Sequence, residues 1–136
     1  MYRILVVANE TLEGAHLLEE VERKVEQAGG DVGVHLVVPA AHGHGTWTEG
    51  GAKAAAQHRL DDAMVLFKEL HVEVTGEVGD PSPVLAIGDA LLIRHYDEIV
   101  LSTLPRGVSR WLKQDAVSRI QRDHPSIPLT HVAASG

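Results

Sequence analysis

Short apolar runs alternate with longer segments whose apolar residues fall three and four apart, and the alternation continues along all 136 residues. Residues 3–8 form the first continuous apolar run, as expected of a parallel strand covered on both faces. Residues 12–28 then place Leu17, Leu18, Val21, Val25 and Ala28 on one helical stripe, with Thr11 as the expected N-cap and Gly29-Gly30 as the stop. Val32 to Val38 reads as a second strand ended by Pro39. Residues 40–51 read as a long Gly-rich loop, and residues 52–70 return to helical spacing. A strand over 72–78 leads to Gly79-Asp80-Pro81-Ser82-Pro83, where Ser82 caps a helix and Pro83 opens it. Val84, Ile87, Leu91 and Leu92 are the expected buried face of that helix. Glu98 to Ser102 is a fourth strand, residues 108–122 a fourth helix with Val108, Trp111, Leu112, Ala116 and Ile120 inward, and 128–133 a fifth strand.

Five strands alternating with four helices specify one α/β domain with a parallel sheet sandwiched between helical layers. Ligands in such sheets sit beyond the carboxyl ends of the strands, where the strand order reverses. Connectivity alone leaves two orders open. In 2-1-3-4-5, strands 1 and 3 flank the crevice; in 3-2-1-4-5, strands 1 and 4 do.

Composition narrows the function. The absence of cysteine excludes thiol catalysis, thiolate zinc sites and disulfide scaffolds. No apolar run reaches the ~20 residues of a membrane span, so a cytoplasmic protein is the expectation. A net charge of −7 disfavours nucleic acid as a partner. The charge is uneven: residues 1–100 carry −10, and residues 101–136 carry +3.

The familiar catalytic and phosphate motifs are missing. Gly45 to Lys53 lacks the Gly-Lys-Ser/Thr ending of a phosphate loop. The turn after the first strand, Asn9-Glu10-Thr11-Leu12, has no Gly-x-Gly-x-x-Gly, and no Gly-x-Ser-x-Gly elbow exists. No catalytic residue and no metal are expected; the nearest approach to a metal pair is His42-x-His44, with His58 on the next helix. Two clusters fall at strand ends. Asn9, Glu10 and Thr11 follow strand 1, where they suit a base or ribose but equally a turn and cap. Ser102, Thr103, Arg106, Gly107, Ser109 and Arg110 follow strand 4 and offer hydroxyls, guanidinium groups and a helix start to a small anionic ligand.

Taken together, these residues resemble the universal stress protein family. Ile4-Leu5-Val6-Val7-Ala8-Asn9-Glu10-Thr11 is similar to its opening strand, which usually ends Asp-Gly-Ser. Glu77-Val78-Gly79-Asp80-Pro81 resembles its Gly-Asp-Pro turn, and Tyr96 to Thr103 its fourth strand. The resemblance implies a three-layer sandwich of the adenine-nucleotide alpha-hydrolase-like kind, with a five-stranded parallel sheet in the order 3-2-1-4-5. It implies a homodimer and, in one branch, ATP between strands 1 and 4. ATP-binding members carry Gly, two residues, Gly, nine residues, then Gly and Ser/Thr. Here those positions are Ser102, Pro105, and Asp115 with Ala116, so all three glycines are gone. Glycine lets amides approach phosphates closely, and proline has no amide hydrogen to give. The expectation is therefore a non-enzymatic stress-response or regulatory protein acting as a dimer. The alternative is a nucleotide-binding protein, taking ATP or AMP with magnesium and hydrolysing slowly, in which Arg106 and Arg110 replace the lost amides. A small unrelated enzyme on the same fold is the third reading.

Overall fold

The structure is a computed structural model that describes residues 1–41, 48–105 and 109–133. Five strands, β1 (Tyr2–Val7), β2 (Val32–Pro39), β3 (Glu73–Gly79), β4 (Glu98–Thr103) and β5 (Leu129–Ala133), form one sheet in the order β3-β2-β1-β4-β5. Every neighbouring pair is parallel. That selects 3-2-1-4-5 over 2-1-3-4-5. The central pair is in register from Ile4↔Glu98 to Val7↔Leu101.

Helices α1 (Ala15–Gln27) and α2 (Glu49–Phe67) cover one face, and α3 (Pro83–Ile93), α4 (Arg110–Lys113) and α5 (Ala116–Asp123) lie on the other. Alternation along β1 divides its side chains between two cores. Ile4 and Val6 join Leu17, Val21, Leu60 and Phe67 on the first face; Leu5 and Val7 join Ile87, Ile99, Leu101 and Ile120 on the second. Gly76 in β3 sets how closely α2 packs, because a Cβ there would stand 2.5 Å from Leu60 Cδ1.

Four local expectations are corrected. Helix α1 starts at Ala15, not 12, and its N-cap is Gly14 without a side-chain bond; the Thr11 hydroxyl is engaged elsewhere. Helix α2 starts within the expected loop, because the Thr48 side chain accepts from the Gly51 amide and caps it despite two glycines. It ends at Phe67, and a single 3-10 turn follows to Leu70. The fourth helix is two helices, broken where Asp115 turns left-handed at φ 58°. Finally, Leu92 faces outward at 86% exposure, and Ala86 and Ala90 fill the inner face of α3 instead. Small residues let α3 lie close to the sheet, and the larger leucine is left outside.

Candidate functional site

The carboxyl ends of β1 and β4 meet where the sheet order reverses, and their side chains are already engaged with one another. The Thr11 and Ser102 hydroxyls share a hydrogen bond of 2.6 Å across the seam, both buried. The short turn after β1 makes this contact. The Leu12 amide donates to Asn9 O and the Gly14 amide to Thr11 O, which tucks Thr11 back over the sheet. Parity brings Ser102 to the same face, since Val100, two residues earlier, belongs to the first core.

Asn9 is held from two sides. Its Nδ2 donates to the Pro39 carbonyl at 2.8 Å, and Arg59 from α2 donates to its Oδ1. An asparagine suits this position because one end donates to a carbonyl while the other accepts from a guanidinium; an aspartate offers no donor. Asn9 is 7% exposed, so the contact seals the end of β1. Glu10 is exposed beside it.

Thr103 points to the opposite face of β4. Its hydroxyl donates to Leu104 O at 2.8 Å and lies 2.9 Å from His131 Nε2 on β5. Ser109 is a helix cap: its Oγ accepts from the Leu112 amide at 3.2 Å. Helix α4 has only four residues and Arg110 is exposed at its start, so the anion-binding helix expected from the sequence is reduced to one capped turn. Arg106, Gly107, His42 and His44 lie outside the described residues. His58 is 3.5 Å from Asp62, one turn along α2. Among the described residues no group of three side chains could hold a metal ion.

The structure brings Asn9, Thr11 and Ser102, read from the sequence at two strand ends, to one place, and adds Arg59 and His131, to which the sequence assigned no role. Arg59 sits 50 residues from Asn9, and no local pattern marks it. His131 follows from register once the sheet order is known, because it pairs with Leu101 and shares a face with Thr103.

The amino end of the same seam is charged. The Arg3 amide donates to Asp97 Oδ2 at 2.8 Å and holds that carboxyl below its ordinary value. Lys24 Nζ lies 3.0 Å from Glu98 Oε2 and 3.8 Å from Glu20 Oε1. Burial and the neighbouring Glu98 carboxylate push the Tyr2 phenol up. Tyr96, buried and stacked on His35, is likewise raised, chiefly by burial.

Beside β5 the first face of the sheet is left open. A groove of about 600 Å³ runs between α1 and the edge strand, lined by His16, Glu19, Glu20 and Arg23 on one side and Thr130 to Ala133 on the other. No helix among the described residues is long and apolar enough to cross a membrane.

No protein-family model matches the sequence, and no curated protein matches it either. Solved structures do. A universal stress protein family member from Burkholderia pseudomallei, 16% identical, superposes with a TM-score of 0.65 over 97% of this chain and 96% of its own. A universal stress protein from Archaeoglobus fulgidus, 14% identical, reaches 0.67 over 97% and 93%. A third, from Arabidopsis thaliana and crystallised with AMP bound, is 14% identical and reaches 0.68 over 100% and 94%. The chain has the fold of these proteins, which is the fold the resemblance implied.

Proposed function

We propose that the chain is a universal-stress-type protein that works without catalysis, as a homodimer, and leaves the nucleotide crevice of its relatives closed. The observation that carries this reading is the Thr11–Ser102 hydrogen bond, reinforced by Asn9 held between Pro39 and Arg59. A ligand entering between β1 and β4 must break those contacts and desolvate their partners. Two losses point the same way: Pro105 offers no amide, and Asp115 sets a carboxylate where an ATP-binding member has glycine.

Dimerisation is supported by β5. It is an edge strand with unpaired backbone groups, and the groove under α1 leaves one of its faces uncovered. A second copy pairing along β5 satisfies both. A cytoplasmic setting accompanies this reading.

The second reading is nucleotide binding through a rebuilt loop after β4, favoured by the AMP in the Arabidopsis structure. Thermal unfolding with and without millimolar Mg-ATP and AMP separates the two. A ligand at one hundred times its dissociation constant adds about 2.7 kcal/mol, a clear shift. The first reading expects none. A shift abolished by Arg106→Ala with Arg110→Ala establishes the second. Sedimentation at low concentration of the wild type against Thr130→Lys, a change on the groove side of β5, tests the dimer: the variant is expected to sediment as a single chain, and an unchanged mass rules out pairing along β5.

A further inference from the structure

Helix α3 is written as a helix buried on all sides, yet one side of it faces solvent. Asp89 is its only charged residue among eleven, and a helix of that composition normally lies inside a protein. Leu85, Leu92 and Ile93 stand 56%, 86% and 82% exposed. The remaining large exposed apolar side chains among the described residues are Met1 and Val65, which lie elsewhere in the fold. Three large apolar side chains are thus gathered on one short helix of a chain whose surface is otherwise strongly acidic, and such gathering marks an interaction face.

The charges around the patch identify its occupant. Asp89 lies one turn before Leu92 and Ile93 on the same side of the helix, and Arg94 follows directly after them. The order is acid, apolar pair, base. Turned end for end, it complements itself. Two copies of α3 laid antiparallel about a two-fold axis beside Leu92 bring Leu92 against its own copy. Each Asp89 then lies beside the partner's Arg94. An axis placed at Asp89 instead sets Asp89 against Asp89, so the charges also fix the register.

We infer that the outer face of α3 is a self-complementary contact for a second copy of this chain, centred on Leu92 and Ile93 and held in register by Asp89 and Arg94. It lies across the sheet from the β5 groove and does not depend on pairing there. Three side chains fall well short of the ~800 Å² per partner of a stable interface. The contact is therefore weak and concentration-dependent. It joins single chains, or joins β5-paired dimers into larger assemblies, because two different two-fold contacts on one chain build beyond a dimer.

Sedimentation velocity over a wide concentration range tests it with exposed-site variants whose folding is checked by circular dichroism. Asp89→Arg alone and Arg94→Asp alone each remove the complementarity, and both are expected to associate about tenfold more weakly than wild type. An equimolar mixture of the two restores opposite charges across the axis and is expected to recover the larger species. Leu92→Glu is expected to abolish it in every background. Whether the starting unit is one chain or a β5-linked pair, the readout is the step above it. A wild type with no such step, a mixture that behaves like its separate components, or a Leu92→Glu variant that assembles as before overturns the proposal.

Discussion

The two ends of the β1–β4 seam are closed by different chemistry. At the carboxyl end the closure is neutral: one hydroxyl donates to another, and an asparagine amide donates to a carbonyl. The charged group that enters this closure, Arg59, meets an amide oxygen. At the amino end the closure is ionic, with Lys24 on Glu98 and the Arg3 amide on Asp97. Both ends hold β4 to its neighbours, β1 and, through Lys24, α1. They differ in what happens when one partner is lost, and in whether pH reaches them.

The largest effect is expected at the ionic end. Lys24→Met leaves the buried Glu98 carboxylate without its part-buried cation, and losing a hydrogen bond between charged groups costs about 2 kcal/mol. Urea unfolding measures this, and adding Glu98→Leu to the same chain is expected to recover most of the loss. Recovery shows that the cost lies in the stranded charge and not in the lost contact.

At the neutral end, Ser102→Ala removes one hydroxyl and is expected to cost about 1 kcal/mol. Thr11→Val in the same background is expected to add less than it does alone, since the bond is already gone. Strict additivity in that cycle means the two hydroxyls are independent, and it breaks the comparison.

Just beyond that end, Asp115 turns left-handed where a side chain is disfavoured. Asp115→Gly relieves the strain but adds freedom to the unfolded chain, for a net gain of about 0.5 kcal/mol. A small rise in melting temperature is the expected outcome; a fall implies that the carboxylate has a contact that favours it.

The smallest effect is a pH dependence confined to the ionic end. Asp97 has its carboxyl held below 3.8, so its contribution is present above that value and lost as pH falls through the lowered one. The stability difference between wild type and Asp97→Asn is expected to shrink as pH drops below 3.8. No such trend is expected for Ser102→Ala, which titrates nothing.

The sheet was legible because its strands alternate with helices along the whole chain, and the resemblance at Gly79-Asp80-Pro81 and around Tyr96 to Thr103 selected the strand order. Local spacing also placed Asn9, Thr11 and Ser102 at strand ends. It left the function of Thr11 undecided between cap and site, and the structure gives a third answer, a bond across the seam. Arg59 and Lys24 were not legible, because each meets a partner far away in sequence and helical spacing says nothing of which strand end a side chain will reach. Leu92 was misplaced for a related reason. Periodicity marks apolar positions, but whether alanine or leucine lies against the sheet depends on how close the helix packs.

The central claim is that the carboxyl end of the seam is closed to nucleotide. Its most direct test follows the amide resonances of Asn9, Thr11 and Ser102 by NMR while AMP, then Mg-ATP, is raised to millimolar concentration. The account predicts that all three stay in place. A saturable shift at these residues, moving together with Arg59, contradicts it and shows that ligand breaks the Thr11–Ser102 bond and occupies the crevice.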